Sequence, residues 1–165
     1  MQMHVGRKLV LVAIALAMAV LAARSFWFSD ARVIRRRLGV LAEVASRPAN
    51  ETDVERMARM ARLGTFFSND CVLRKDVSSF VGGRQAVVGL ALQGVAAYGR
   101  MAVSLADVQV AMSEPATATA FMTLRVSGDH GTALEPRQLS ATLVKVNGEW
   151  LVSRGEVLRT LDAAK

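Results

Sequence analysis

Apolar residues recur every three to four positions in the first part of the chain, and this spacing predicts three helices. Ser29 is placed to cap the first helix, and Thr52 and Glu55 have the spacing of a capping box for the second. Gly64 is expected to cap the end of the second helix. The predicted helices run from Asp30 to about Ala45, from Asp53 to about Leu63 and from Arg84 to about Tyr98.

The second and third helices carry further expectations about their faces. In the second helix, the arginines are interpreted as a solvated face, and the apolar residues between them as the buried face. In the third helix, Gly89 and Gly94 lower the intrinsic helicity, so we expect close packing against a sheet to compensate. In the second helix, the residues expected to face inward are Val54, Met57, Ala58 and Ala61, and those expected to face mostly outward are Arg56, Arg59 and Arg62.

From Met101 onward the period of the pattern changes to two, which predicts four antiparallel strands. Val103 and Leu105 fall out of phase with Val108, which predicts a bulge in the first of them. A short hairpin is expected earlier, from Phe67 to Leu73 and from Ser79 to Val81, before the third helix. The four later strands cover residues 102–112, 117–126, 137–146 and 149–157, with Asn147-Gly148 as the tight turn between the last two. Helices segregated from an antiparallel sheet indicate an α+β domain, and a curved sheet against helices leaves a conical pocket.

A hydrophobic segment precedes this domain. Leu9 to Ala23 has no polar atom in any side chain, and Leu9 to Phe28 is long enough, at roughly 30 Å as a helix, to cross a bilayer. Arg24 and Trp27 near its end suit the membrane interface. We therefore expect residues 1–28 to form a signal anchor or transmembrane helix that contacts the bilayer through residues 9–28, followed by a domain over residues 29–165. A cleaved signal peptide is the alternative, with Val20-Leu21-Ala22 as a cleavage site.

The charge of the chain is concentrated next to this segment. The net charge is +7, but residues 24–62 hold nine Arg and five acids, whereas residues 63–165 hold ten basic and nine acidic residues. Basic residues beside a hydrophobic segment, Arg35 and Arg36 among them, favour contact with lipid headgroups over nucleic acid, and no nucleic-acid partner is predicted. Arg7 and Lys8 favour a cytoplasmic N-terminus, while the arginines after the segment oppose translocation. We expect a single-pass protein with its domain on the extracytoplasmic side.

Few residues suggest chemistry. His4 and His130 have no companion at ligand spacing, so neither a metal site nor a cofactor is predicted. Cys71, the single cysteine, has no nearby histidine and is interpreted as a buried structural thiol, with a reactive nucleophile as the alternative.

Three stretches of the sequence resemble the nuclear transport factor 2-like superfamily, also called the SnoaL-like or cystatin-like cone fold. Leu63 to Cys71 resembles the family's helix exit into "FFxxD", Val81 to Val87 its "hxGRxAI" helix entry, and Val144 to Val152 its terminal "V-x-DG-x-W-x-I" hairpin. The chain looks most like bacterial members with an N-terminal anchor. The resemblance implies a cone-shaped domain with three helices on a curved sheet, and a homodimer through the open sheet face. Members include isomerases, dehydratases and epoxide hydrolases, and also noncatalytic binding or assembly domains.

The resemblance implies that an enzyme would keep its acid–base groups inside the cone, and the candidates are Asp70, Asp107 and Tyr98. The interior is otherwise aliphatic, so it either is filled or suits a small hydrophobic or lipid-like ligand. The residues expected to line a pocket are Val103, Leu105, Met122, Leu124, Leu139 and Leu143. We expect a noncatalytic, membrane-anchored binding or assembly domain at the cell envelope. The alternatives are a small-molecule lyase or isomerase, and a carrier of a hydrophobic ligand that is secreted after signal cleavage.

Overall fold

The computed structural model describes residues 29–74, 79–96, 100–128 and 133–160, which form three helices and six strands. The described part of the first helix, α1, covers residues 29–45. The other elements are α2 (Asp53–Gly64), β1 (Phe67–Arg74), β2 (Phe80–Gly82), α3 (Arg84–Ala96), β3 (Met101–Glu114), β4 (Thr117–Gly128), β5 (Arg137–Val146) and β6 (Glu149–Thr160). The α+β class is confirmed, with the helices packed on a curved sheet.

The six strands form one sheet in the order β2-β1-β6-β5-β4-β3. The four later strands, β3 to β6, pair antiparallel with one another, and the tight turn has Asn147 at φ 51° and Gly148 at φ 85°, as a type I′ hairpin requires. The predicted bulge in β3 is present, since the register shifts between Ala106 and Gln109 and Asp107 has φ 55°. The sequence did not indicate that β1 pairs in parallel with β6, which makes the last strand an internal one.

The core lies between the inner face of the sheet and the helices. Ile34 and Leu38 of α1, Leu143 of β5 and Trp150 of β6 are almost completely buried. Polar contacts hold α1 to the β5–β6 hairpin, because the Asp30 carboxylate accepts from Lys145 Nζ at 2.9 Å and from Trp150 Nε1 at 3.4 Å. These contacts hold α1 at one end of the sheet.

The prediction for the faces of α2 is wrong. Val54 and Met57 are 79% and 74% exposed, and Ala58 and Ala61 are exposed too. Met60, Leu63 and Gly64 are the buried residues of this helix. The capping box of Thr52 and Glu55 is present, but the helix includes Gly64 and its C-terminal cap is Thr65.

A buried carboxylate lies beside the arginines of α2 and accounts for the face that this helix presents to the domain. The Glu51 side chain, just before α2, is only 2% exposed, and it accepts hydrogen bonds from Arg59, whose Nη2 lies 3.0 Å from Oε2. Arg47 and Arg56 approach the same carboxylate at 3.7 Å, and Arg59 also donates to the Val44 carbonyl of α1. Arg56 and Arg59 therefore face the domain, while only Arg62 is exposed as predicted. The hydrogen bond from Arg59 is the main reason that the pKa of Glu51 is lowered.

Two further expectations concern helix ends and glycines. Ser29 already lies within α1, so it is not the N-cap of that helix. An added Cβ at Gly89 or Gly94 would meet nothing within 4 Å, so close packing does not explain these two glycines. The predicted membrane segment, with Arg24 and Trp27, lies outside the described residues. Within the described ranges, no helix is long and apolar enough to span a bilayer.

Candidate functional site

A cavity of about 440 Å³ lies between the inner face of the sheet and the helices. Its wall is almost entirely apolar, and Leu90 of α3, which lines it, is half exposed, so the cavity is open to solvent beside this helix. Helix α1 contributes Leu38, Leu41, Ala42 and Ala45; α2 contributes Leu63; α3 contributes Val87, Leu90 and Ala91; and the sheet contributes Phe67, Leu73, Met101, Val103, Leu105, Met122, Leu124, Val126, Leu139, Ala141, Val152 and Val157.

The alternation of side chains along the strands produces this apolar wall. On β4, Met122, Leu124 and Val126 point to the inner face, while Thr123 and Arg125 lie between them on the other face. Five of the six residues named from the sequence lie on the cavity wall, namely Val103, Leu105, Met122, Leu124 and Leu139.

Leu143 is the sixth, and it lies in the packed core instead of on the cavity wall. It pairs with Ala118 on β4 and Val152 on β6, and it is 1% exposed. This part of β5 lies close to the β5–β6 hairpin, which α1 covers; Asp30 of α1 accepts a hydrogen bond from Trp150 of β6. Core side chains of α1 and β6 therefore fill the space beside Leu143.

A glycine in β6 allows β1 to lie close to the wall. Gly155 is the register partner of Leu73, and an added Cβ at Gly155 would lie 2.7 Å from Leu73 Cδ2. A side chain at this position would push Leu73 away from its place on the cavity wall. The absence of a side chain at Gly155 therefore helps to set the shape of the cavity beside β1.

Two charged residues border the described cavity at its β1–β6 end. Arg74 at the end of β1 and Glu156 on β6 border the cavity and are register partners in the parallel pair, but they follow the inward residues Leu73 and Gly155, so their exposed side chains lie on the other face of the sheet. Ser140 is the remaining polar residue of the described lining. No sequence pattern indicated that Arg74 and Glu156 lie side by side, because the parallel pairing that brings them together was not predicted.

The three acid–base candidates are not brought together in this cavity. Asp107 accepts a hydrogen bond from Thr123 Oγ1 at 3.4 Å, so its carboxylate lies on the outer face of the sheet. Asp70 is exposed in a separate polar groove that also contains Arg84 and Glu149 and shares no lining residue with the cavity. Tyr98 lies outside the described residues.

The remaining reactive candidate is the cysteine. Cys71 is completely buried, and burial raises the pKa of its thiol. A thiol with a raised pKa is less ionised near neutral pH and is a poorer nucleophile. In the part of the chain that the structure describes, no group of three or more His, Cys, Asp or Glu residues could hold a metal ion.

Solved structures with the same architecture are known from several bacteria. A nuclear transport factor 2-like protein with a cystatin-like fold from Novosphingobium aromaticivorans superimposes with a TM-score of 0.67 at 22% identity, covering 87% of this chain and 90% of its own. The chain has the nuclear transport factor 2-like, cystatin-like cone fold. A proposed scytalone dehydratase from the same species gives a TM-score of 0.66 at 17% identity, covering 86% of this chain and 92% of its own.

A hexachlorocyclohexane dehydrochlorinase from Novosphingobium barchaimii gives a TM-score of 0.53 at 10% identity, covering 62% of this chain and 74% of its own. The sequence matches neither a known family profile nor a curated protein. At these identities the similarity shows the fold but not an activity, and the cavity is the feature that bears on function.

Proposed function

We propose that this domain is a noncatalytic binding module that takes a small apolar molecule into the cone cavity. The observation that carries the proposal is the composition of the described wall, in which apolar side chains surround about 440 Å³. Ligand pockets commonly measure about 300–1,000 Å³ and are lined mainly by hydrophobic residues, with few polar groups. Burial of apolar ligand surface would supply the affinity.

A lyase or isomerase would need a proton-transferring group within about 3 Å of the reacting atoms. Among the described lining residues, only Arg74 and Glu156 carry a charged group, and the exposed side chains of both lie on the other face of the sheet. Asp70 and Asp107 face other surfaces of the domain. These placements support binding over catalysis in the described part of the chain.

We also propose that the hydrophobic segment Leu9 to Phe28 holds the domain at a membrane of the cell envelope, on the extracytoplasmic side. Its length, and the lack of polar side chains from Leu9 to Ala23, support an anchor. The exposed Arg35 and Arg36 on α1, directly after the segment, are placed to contact anionic headgroups. An apolar binding site at a membrane surface would have access to lipid-derived molecules.

The binding proposal can be tested with the domain expressed without residues 1–28, after circular dichroism has shown that it is folded. Titration with the apolar fluorophore N-phenyl-1-naphthylamine should give saturable binding at one site, and alkyl compounds should displace the fluorophore. Ala91→Phe places a ring on the cavity wall and should weaken binding by about tenfold, which corresponds to about 1.4 kcal/mol of lost contact.

A matched control is the same substitution on the other side of the sheet. Ala111 is exposed on β3, pairs with Thr119 and does not line the cavity, so Ala111→Phe should bind the fluorophore like the unsubstituted domain. Equal affinities of the two folded variants would show that the fluorophore binds elsewhere. The proposal would then be wrong.

A further inference from the structure

Three polar residues are among the described residues that border the cavity, and their side chains all lie on the opposite face of the sheet. Ser140 stands between two inward residues of β5, so it points outward. It pairs with Phe121 on the outer face of β4 and with Glu156 on β6, and Glu156 pairs in turn with Arg74 on β1. Cross-strand partners share a face, so Ser140, Glu156 and Arg74 form one row on the outer surface.

The described backbone offers the interior of the cavity no hydrogen-bonding group either. The N–H and C=O groups of the strands lie in the plane of the sheet, where they bond to neighbouring strands. Those of the helices run along the helix axes. Apart from the outer row, the described lining consists only of Leu, Val, Ala, Met, Phe and Gly residues. A molecule inside therefore meets no N–H or O–H donor and no oxygen acceptor from the described wall.

From this wall we propose that the ligand is a compact hydrocarbon without hydroxyl, carbonyl or charged groups. This inference rests on the proposed binding function and assigns the chemical class of the ligand. At about 30 Å³ for each non-hydrogen atom, which is the share of one molecule in liquid water, the volume of about 440 Å³ holds roughly fifteen such atoms. The cavity therefore suits a medium-sized hydrocarbon.

The cavity selects this class by excluding oxygenated molecules of the same size. A carbonyl or hydroxyl carried inside loses its hydrogen bonds with water and gains none from the wall, which weakens binding by about five- to 150-fold. A hydrocarbon gives up no hydrogen bond when it enters. A polar group at the end of a chain could stay in water at the open side beside Leu90, so the test compounds carry it at mid-chain.

The test uses the full chain in phosphatidylcholine nanodiscs and a photoreactive hydrocarbon, dipentyl diazirine. Irradiation should label cavity residues such as Met122, and Ala91→Phe should abolish this labelling. Unlabelled undecane and dipentyl ketone, which differ by one mid-chain carbonyl, then compete with the probe. Their concentrations in the lipid are measured by gas chromatography, so solubility in water does not enter the comparison. For equal displacement, the ketone should need a concentration about five- to 150-fold higher than undecane.

Isosteric substitutions then supply the missing donor. Val103 on β3 and Val157 on β6 both line the cavity, so Val103→Thr and Val157→Thr each place a hydroxyl on its wall and keep a β-branched side chain. At least one of them should narrow the difference between the ketone and undecane by about fivefold, because the hydroxyl can donate to the carbonyl. Val146→Thr is the matched control, since Val146 is an exposed strand residue that does not line the cavity, and it should leave the difference unchanged.

The outcomes separate this inference from the proposed function. If dipentyl ketone displaces the probe as well as undecane does, the assigned ligand class is wrong, while apolar binding stands. If the ketone is weaker but neither threonine variant narrows the difference, a missing hydrogen-bond partner is not the reason for the selection, and the inference is wrong as well. If the probe does not label the cavity, both proposals are wrong.

Discussion

Replacing Glu51 by glutamine tests the ion cluster that fixes α2 against α1. Glutamine keeps the shape and one acceptor oxygen but removes the charge from a side chain that is 2% exposed. One of the two hydrogen bonds from Arg59 is lost, because the amide nitrogen of glutamine cannot accept, and the other keeps only the charge of the arginine; hydrogen bonds to charged groups contribute about 1.5–3 kcal/mol each. Breaking a buried pair costs about 3–5 kcal/mol, and these arginines are partly exposed, so we expect a loss of roughly 2–4 kcal/mol.

Urea unfolding measures this loss. The full chain in mild detergent carries Trp27→Phe, so that fluorescence reports on Trp150, which is buried in the core. Linear extrapolation gives the free energy of unfolding of each variant. Glu43→Gln, at an exposed position of α1, is the control and should change it by less than about 0.5 kcal/mol. If Glu51→Gln is as mild as this control, the cluster does not stabilise the fold.

The difference in unfolding free energy between the wild type and Glu51→Gln should also depend on pH. The pKa of Glu51 is lowered in the folded state, so its carboxylate stabilises the fold above the unfolded pKa of about 4.3. This stabilisation is lost as the pH falls through the lower pKa of the folded protein. The difference in unfolding free energy between the wild type and Glu51→Gln should therefore be full at pH 7 and shrink below about pH 4. A difference that stays constant down to pH 3 would contradict the assignment.

Three further predictions concern other parts of the fold. Gly89→Ala and Gly94→Ala should each raise the unfolding free energy by up to about 1 kcal/mol in urea unfolding, because both are helical and an added Cβ meets nothing within 4 Å. Leu143→Ala should cost about 2–5 kcal/mol in the same assay, and Leu124→Ala at the cavity wall should cost less, since it borders space that is already open. Cys71 should react with a thiol reagent at pH 7.5 only after unfolding, which a comparison of labelling in buffer and in 6 M guanidinium would show.

Periodicity predicted the sheet well because one face of each long strand meets the core. On β4 the inward set of Met122, Leu124 and Val126 follows directly from alternation, and the Asn147-Gly148 turn fixes the register of β5 and β6. The cavity wall on the sheet could therefore be named from the sequence. Leu143 was misplaced because alternation identifies the inner face but not which part of that face the helices fill.

Helix α2 shows why the rest could not be predicted. Its apolar residues Val54 and Met57 have helical spacing, but the face that meets the domain is chosen by the Glu51 carboxylate. A glutamate that lies outside the helix and binds Arg59 leaves no trace in hydrophobic periodicity. The pairing of Arg74 with Glu156 was missed for a related reason, since parallel pairing of distant strands has no local sequence signal.

The parallel contact between β1 and β6 also determines when the domain can assemble. The two strands are separated by roughly eighty residues, and Asp30 of α1 meets Lys145 and Trp150 across more than a hundred. During synthesis, at about 5–20 residues per second, the helices emerge several seconds before the central strand that they cover. The sheet that α1 and α3 cover is incomplete until Glu149–Thr160 has been made, because β6 joins β1 to β5. Completion of the sheet therefore depends on the β5–β6 hairpin, and a ribosome that stalls before Asn147 leaves the core without Trp150 and Val152.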